Sequence, residues 1–274
     1  MLFMPAGCTP MVALSNLRHL ILACQRWIPA ARPFMSASWD MVERWKLMVP
    51  VNHRTPISRN VVNATCVYAW HLRWYSWVGA TLLAFYRAGR LGEVFKCLRE
   101  DLRRAPVFGD VFEDFGALVF LRLRSFKSRL RQPAKVQHMK VVDPLASKLL
   151  TKIFKALRLD APLFRVSACQ YRKRWDQLVR LLCIPTSFQL TPGGLRGGAA
   201  VYHYKNERQI QDLLWLLCLR SQTTLETYLQ EVAALYLFAR LPPDARACIK
   251  NGADAFAFLL HGDSSFAGCM TNVL

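Results

Sequence analysis

The chain has 274 residues, 53% of them hydrophobic, and carries 37 Lys and Arg against 18 Asp and Glu. That composition excludes a disordered low-complexity chain and supplies one large core, or a main domain with a smaller appendage. The formal charge of +19 points to a polyanionic partner, with nucleic acid first and an anionic membrane surface second.

Residues 1–48 are expected to form a basic N-terminal extension or a truncated upstream domain. No Asp or Glu precedes Asp40, whereas Arg18, Arg26 and Arg32 do, and Asn16 to Trp27 is amphipathic. The same pattern is compatible with an organelle transit peptide. A boundary falls near Pro50–Pro56, where Thr55 as N-cap and Pro56 at the first helical position predict a helix from Ile57 to His71. An apolar, aromatic helix follows from Arg73 to Arg87, and a short one from Leu91 to Leu102 after the Ala88-Gly89 break.

Ala117–Arg124 reads as a strand, Lys127–Pro133 as a basic turn and Ala134–Val142 as a returning strand. Asp143-Pro144 opens a helix through Leu157, and helical pattern returns over Gln170–Leu182, from about Leu195, over Gln209–Leu219 and over Thr224–Arg240. Leu241-Pro242-Pro243 ends the last of these and leaves a tail, 241–274, with a helix-like segment at Ala253–Leu260. The expected fold class is mainly α with a small antiparallel β-hairpin (α+β), its main domain spanning 49–240. No uninterrupted apolar run reaches the length of a membrane span. The nine cysteines form no CxxC pair. Cys183 and Cys218 sit in apolar contexts, so the thiols read as reduced, buried small hydrophobes rather than zinc ligands.

Four residues stand out for phosphate chemistry. Arg196, in Leu195-Arg196-Gly197-Gly198, and Arg90, in Ala88-Gly89-Arg90-Leu91-Gly92-Glu93, each lie beside glycines at the start of a helical pattern. A helix start favours anions, and two guanidiniums can share one phosphate. Glu93 is placed to orient Arg90. Tyr228 in Thr224-Leu225-Glu226-Thr227-Tyr228 is a candidate nucleophile, and Lys127 at the hairpin tip a candidate proton donor to a leaving oxygen. Between Phe115 and Val142 there is no acidic residue, while Arg122, Arg124, Lys127, Arg129, Arg131, Lys135 and Lys140 all occur. A basic β-ribbon of this kind can lie along a nucleic-acid groove, so Arg122, Arg124, Arg129, Arg131 and Lys135 are candidate DNA contacts. The plain alternative is a solvated polar hairpin.

The order Arg90, Lys127, Arg196, Tyr228 resembles that of the tyrosine recombinases, or phage integrase family. The Arg90 segment with Asp101 just beyond looks like the family's first arginine box. Gly193-Gly194-Leu195-Arg196-Gly197 resembles the second, and Thr224–Tyr228 the nucleophile segment. The resemblance covers roughly Val49 to Arg240. It departs where Gly193 and Gly197 stand at histidine positions and Leu219 at a His or Trp position, with His203 and Arg220 as nearby substitutes.

The resemblance implies a DNA strand cleavage and rejoining enzyme. Tyr228 would form a 3′-phosphotyrosyl intermediate, Arg90 and Arg196 would grip the phosphate, and Lys127 would protonate the leaving 5′-oxygen. It implies double-stranded DNA as partner, a homo-oligomer on DNA, and no metal, other cofactor, small-molecule substrate or membrane. The C-terminal tail would serve exchange between protomers. The expected location is intracellular, in the nucleus or another DNA-containing compartment. The alternative is a DNA-binding relic of a mobile element, weak or inactive in catalysis. Both readings remain open at this point.

Overall fold

The computed structural model describes residues 10–48, 54–104, 118–124, 137–206, 209–217, 219, 221–226, 228–229 and 231–260. The chain divides into two units, Met1–His53 and Arg54–Leu274.

In the first unit, α1 (Pro10–Trp27) and α2 (Ser36–Met48) are joined by a 3-10 turn, Pro29–Met35. The two helices pack through Leu14, Ile21 and Val42, flanked by Leu17, Met35, Trp39 and Trp45. This core is small, since two short helices have little apolar surface to share.

The second unit is built around α3 (Arg59–His71) and α4 (Tyr75–Tyr86), which are buried over Val61–Trp70 and Trp77–Tyr86. Helices apolar on every side belong at the centre of a layer stack. The short helix α5 (Leu91–Val94) follows, then the strands β1 (Leu102–Arg104), β2 (Val119–Leu123) and β3 (Gln137–Val141). They form one antiparallel sheet in the order β1-β2-β3, with Leu102 and Met139 both paired to Leu121. Leu102, Val119, Leu121, Leu123, Met139 and Val141 bury the inner face. That is the period-two pattern of a half-buried sheet.

The remaining helices are α6 (Pro144–Phe154), α7 (Ala168–Leu181), α8 (Gly194–Lys205), α9 (Ile210–Leu216), α10 (Gln222–Glu226), α11 (Glu231–Arg240) and α12 (Pro243–Ala255). The mainly-α class with a small antiparallel sheet is the observed one. Helix α12, from the tail, packs on α3 so closely that a Cβ on Gly252 would lie 2.8 Å from the Ala64 Cβ.

Several boundaries differ from expectation. The first helix of this unit starts at Arg59, not Ile57, and its N-cap is Ser58, whose hydroxyl accepts from the Val61 amide at 3.5 Å. Residues 54–58 stay extended because the Ile57 amide donates to the Gly194 carbonyl of α8 at 3.2 Å. A tertiary bond thus overrides the local Thr-Pro start signal. The expected helix Leu91–Leu102 is one turn only. Its chain then bends at Leu98, whose amide donates to Asp101 Oδ2 at 2.8 Å, and enters β1, a strand with no counterpart in the sequence reading. The expected helix Thr224–Arg240 is two helices, α10 and α11, with Tyr228 between them.

Cys66 and Cys97 are buried as expected, but Cys183 and Cys169 are exposed. Cys183 sits in the left-handed region at φ 55, closing α7 with hydrogen bonds from its own amide to Arg180 and from Ile184 to Val179. The helix therefore ends at Leu181, two residues before Cys183, and the thiol stays exposed.

Candidate active site

The end of α4 creates one wall of the site. Ala88 adopts φ 52, and the amides of Ala88 and Gly89 donate back to Phe85 at 2.8 Å and Ala84 at 2.9 Å. This two-bond cap is normally built on glycine. Here glycine takes the following position. A Cβ on Gly89 would strike the guanidinium of Arg87, with Nε 2.5 Å away. Arg87 is fully buried; its Nη1 meets Met139 Sδ of β3 at 2.6 Å, and its Nη2 lies 3.8 Å from Glu93.

Glu93 is therefore shared. Its Oε1 accepts from Arg90 Nη1 at 3.0 Å, and its Oε2 faces the Arg90 amide at 3.4 Å, so Arg90 opens α5 with its side chain clamped. The expectation that Glu93 sits beside Arg90 fits this geometry. The buried Arg87 behind it was missed, and the signal available was its place one helical turn upstream of Arg90.

Arg196, in the first turn of α8, is 7% exposed. Its Nη1 donates to the Ala88 carbonyl at 3.3 Å, two residues before Arg90, and its Nη2 donates to the Leu217 carbonyl beyond α9. The ring of Tyr228 covers its guanidinium at 5.4 Å. One buried cation thus joins the Arg90 segment, the end of α9 and the Tyr228 segment. Helix α10 is started by Ser221, whose hydroxyl accepts from the Thr224 amide at 3.3 Å, and the Tyr228 amide donates to Leu225 at 2.8 Å. Leu219, the expected His or Trp position, is half-buried and packs against the core.

The glycines beside Arg196 have a packing role. A Cβ on Gly194 would strike the Thr55 carbonyl, and one on Gly198 would lie 2.7 Å from the Ile57 carbonyl carbon. The extended 54–58 segment therefore crosses α8 at backbone contact. Gly197 faces only Pro56, at 3.8 Å. His203, two turns along α8, is buried with Nε2 2.9 Å from the Tyr86 carbonyl, holding α8 to α4.

Of the candidate DNA contacts, Arg122 and Arg124 converge on the buried Asp101. Arg122 Nε donates to its Oδ1 at 2.9 Å and Arg124 Nε to its Oδ2 at 2.5 Å, while Arg124 also pairs with Glu100. Burial alone would raise the Asp101 pKa, but the bonds from Arg124, the Leu98 amide and Arg122 bring it below the usual carboxylate value. Both arginines thus spend part of their charge inside the protein. Lys127, Arg129, Arg131, Lys135 and Arg220 lie outside the described residues. The β2–β3 pairing ends at Leu123 and Gln137. Next to that pair the Cys97 thiol bridges the carbonyls of Glu93, at 3.3 Å, and Arg122, at 3.6 Å. Burial pushes that thiol up to about 11, against the pull of Arg87. That end of the sheet therefore abuts the α5 segment.

Among the described residues no three His, Cys, Asp or Glu side chains gather to hold a metal ion. No described helix is long and apolar enough to cross a membrane. A separate surface cavity of about 400 Å³ is lined by Arg59, Tyr202, Lys205 and Phe238 among others, and none of the candidate catalytic residues borders it.

The mainly helical architecture with its three-stranded antiparallel sheet resembles the fold of a solved tyrosine recombinase. Among solved structures, the chain is similar to the crystal structure of XerA recombinase, with a TM-score of 0.50 and 14% identity, covering 87% of this chain and 84% of that one. No family model matches the sequence, and no curated protein matches it either.

Proposed function

We propose that this chain binds double-stranded DNA and acts as a tyrosine-type DNA strand-transfer protein. The observation that carries this is the placement of the Arg196 guanidinium, between the Ala88 carbonyl beside Arg90 and the Tyr228 ring. In the proposed reaction the Tyr228 hydroxyl gives its proton to water as its oxygen attacks a DNA phosphorus atom; the O–P bond to the 5′-oxygen breaks, and that oxygen takes a proton from the Lys127 ammonium, which is reprotonated from solvent. Arg90 and Arg196 balance the charge that builds on the phosphoryl oxygens. A 5′-hydroxyl then reverses the step, so energy and metal are not consumed. The net charge of +19 supports DNA as the partner. Assembly of several protomers on DNA, and residence in a DNA-containing compartment, belong to the same reading.

A second reading, a DNA-binding mobile-element relic without catalysis, is favoured by two observations. Gly193, Gly197 and Leu219 offer no proton-transferring side chain, and the Arg196 guanidinium is already bonded to two backbone carbonyls. A suicide DNA substrate nicked beside the cleavage point separates the two. The enzyme reading expects a covalent protein–DNA complex that Tyr228→Phe abolishes. Salt-sensitive DNA binding without any covalent complex supports the relic. Absence of DNA binding at low salt refutes both.

A further inference from the structure

The tip of the N-terminal hairpin has a surface that the DNA reading does not use. Trp27 is 82% exposed, Ile28 59% and Phe34 83%. Soluble surfaces scatter single apolar side chains, whereas here three large ones are exposed within eight residues of one connecting segment. The small core of the hairpin is already satisfied there, because neighbouring Met35 and Trp39 pack inward. The turn is also held in shape, by Pro29 and Pro33 and by bonds from Ile28 to Cys24 at 2.8 Å and from Ala31 to Ile28 at 2.9 Å.

We propose that this tip, residues 26–34, is a contact site for an anionic lipid bilayer. Charge complementarity commits it to that occupant. Arg26 precedes the apolar group and Arg32 lies within it, and no acid occurs before Asp40. Arg26 stands in the last turn of α1, and Arg32 Nε reaches back to the Gln25 carbonyl at 3.2 Å. The cations therefore lie on the helix side of the tip, at headgroup level once the three apolar side chains enter the acyl boundary. Base stacking uses rings alone, and Ile28 offers none, whereas the acyl boundary takes Trp27, Ile28 and Phe34 alike. This contact is superficial, but it runs against the expectation of no membrane partner.

Co-sedimentation of the full chain with phosphatidylcholine vesicles, with and without phosphatidylglycerol, tests the site. Wild type is expected to bind the anionic vesicles, less at high salt. Trp27→Ser with Phe34→Ser should weaken binding at least about tenfold with unchanged Tm, since both side chains are exposed. Arg26→Gln with Arg32→Gln should weaken the preference for phosphatidylglycerol, since the rest of the +19 charge remains. Trp27→Phe should keep binding while losing quenching by brominated lipid. Wild type that ignores anionic vesicles, or a Trp27/Phe34 variant that binds them equally, overturns the proposal. So does a tip effect seen only on single-stranded oligonucleotide, which would assign the tip to base stacking. None of these outcomes depends on DNA cleavage.

Discussion

Replacing Gly198 and Gly197 by alanine, one at a time, should move stability in opposite directions. Both sit inside α8, where alanine is favoured over glycine by about 1 kcal/mol. At Gly197 the nearest atoms to a new Cβ are those of Pro56 at 3.8 Å, ordinary contact distance, so the helical gain stands. At Gly198 the Cβ would lie 2.7 Å from the carbonyl carbon and 2.8 Å from the amide nitrogen of Ile57, with the carbonyl oxygen nearer still. These are backbone atoms of a segment bonded to α8 through Ile57 and Gly194, and they have no rotamer to escape into. Overpacking of this kind costs about 3 kcal/mol, the upper end of the usual range, leaving a net loss of about 2 kcal/mol. Thermal unfolding at one scan rate reads the contrast. Gly197→Ala should gain about 2–4 °C and Gly198→Ala should lose about 4–8 °C, at roughly 2–4 °C per kcal/mol for a unit of this size. Equal shifts, or a reversed order, would refute the claim that these glycines serve backbone contact.

The other expectations rest on the same corner and its supports. Arg196→Lys should destabilise by about 1–3 kcal/mol, because one ammonium cannot span the Ala88 and Leu217 carbonyls as a guanidinium fork does; urea unfolding measures it. Arg73 holds φ 59 on an exposed turn, so Arg73→Gly should raise stability by up to about 1 kcal/mol, the left-handed cost less glycine's unfolded-state entropy. For Asp101 the folded pKa lies below its unfolded value. Its contribution is therefore full above about pH 4, the unfolded carboxylate value, and is lost as pH falls through the folded value. Acid unfolding followed between neutral pH and about pH 2 should thus be less steep in Asp101→Asn than in wild type, within that window. Gly197→His puts a proton carrier beside Arg196 without steric conflict at Cβ; on the suicide substrate it should raise the rate of covalent trapping by about tenfold or more.

What the sequence made legible was whatever short-range pattern decides. The apolar centre at α3 and α4 and the Asp143 cap of α6 follow from residues within a few positions of one another. What stayed hidden depends on partners far along the chain. Asp101 is read locally as the acid after an arginine box, yet its surroundings come from Arg122 and Arg124, about twenty positions on, once β1 and β2 pair. The basic ribbon therefore carries less outward charge at its base than its composition suggests. The glycines by Arg196 make the same point from the opposite side. Read locally, glycine beside arginine means a phosphate turn, or a histidine lost. In the fold, Gly194 and Gly198 are the price of laying the 54–58 backbone against α8, and that crossing fixes where the first turn of α8, and so Arg196, must stand. Gly197 alone among the neighbours of Arg196 is free of that duty. A position with steric room and no packing task can drift without cost to the fold, and this is why the fold can persist whether or not the chemistry does.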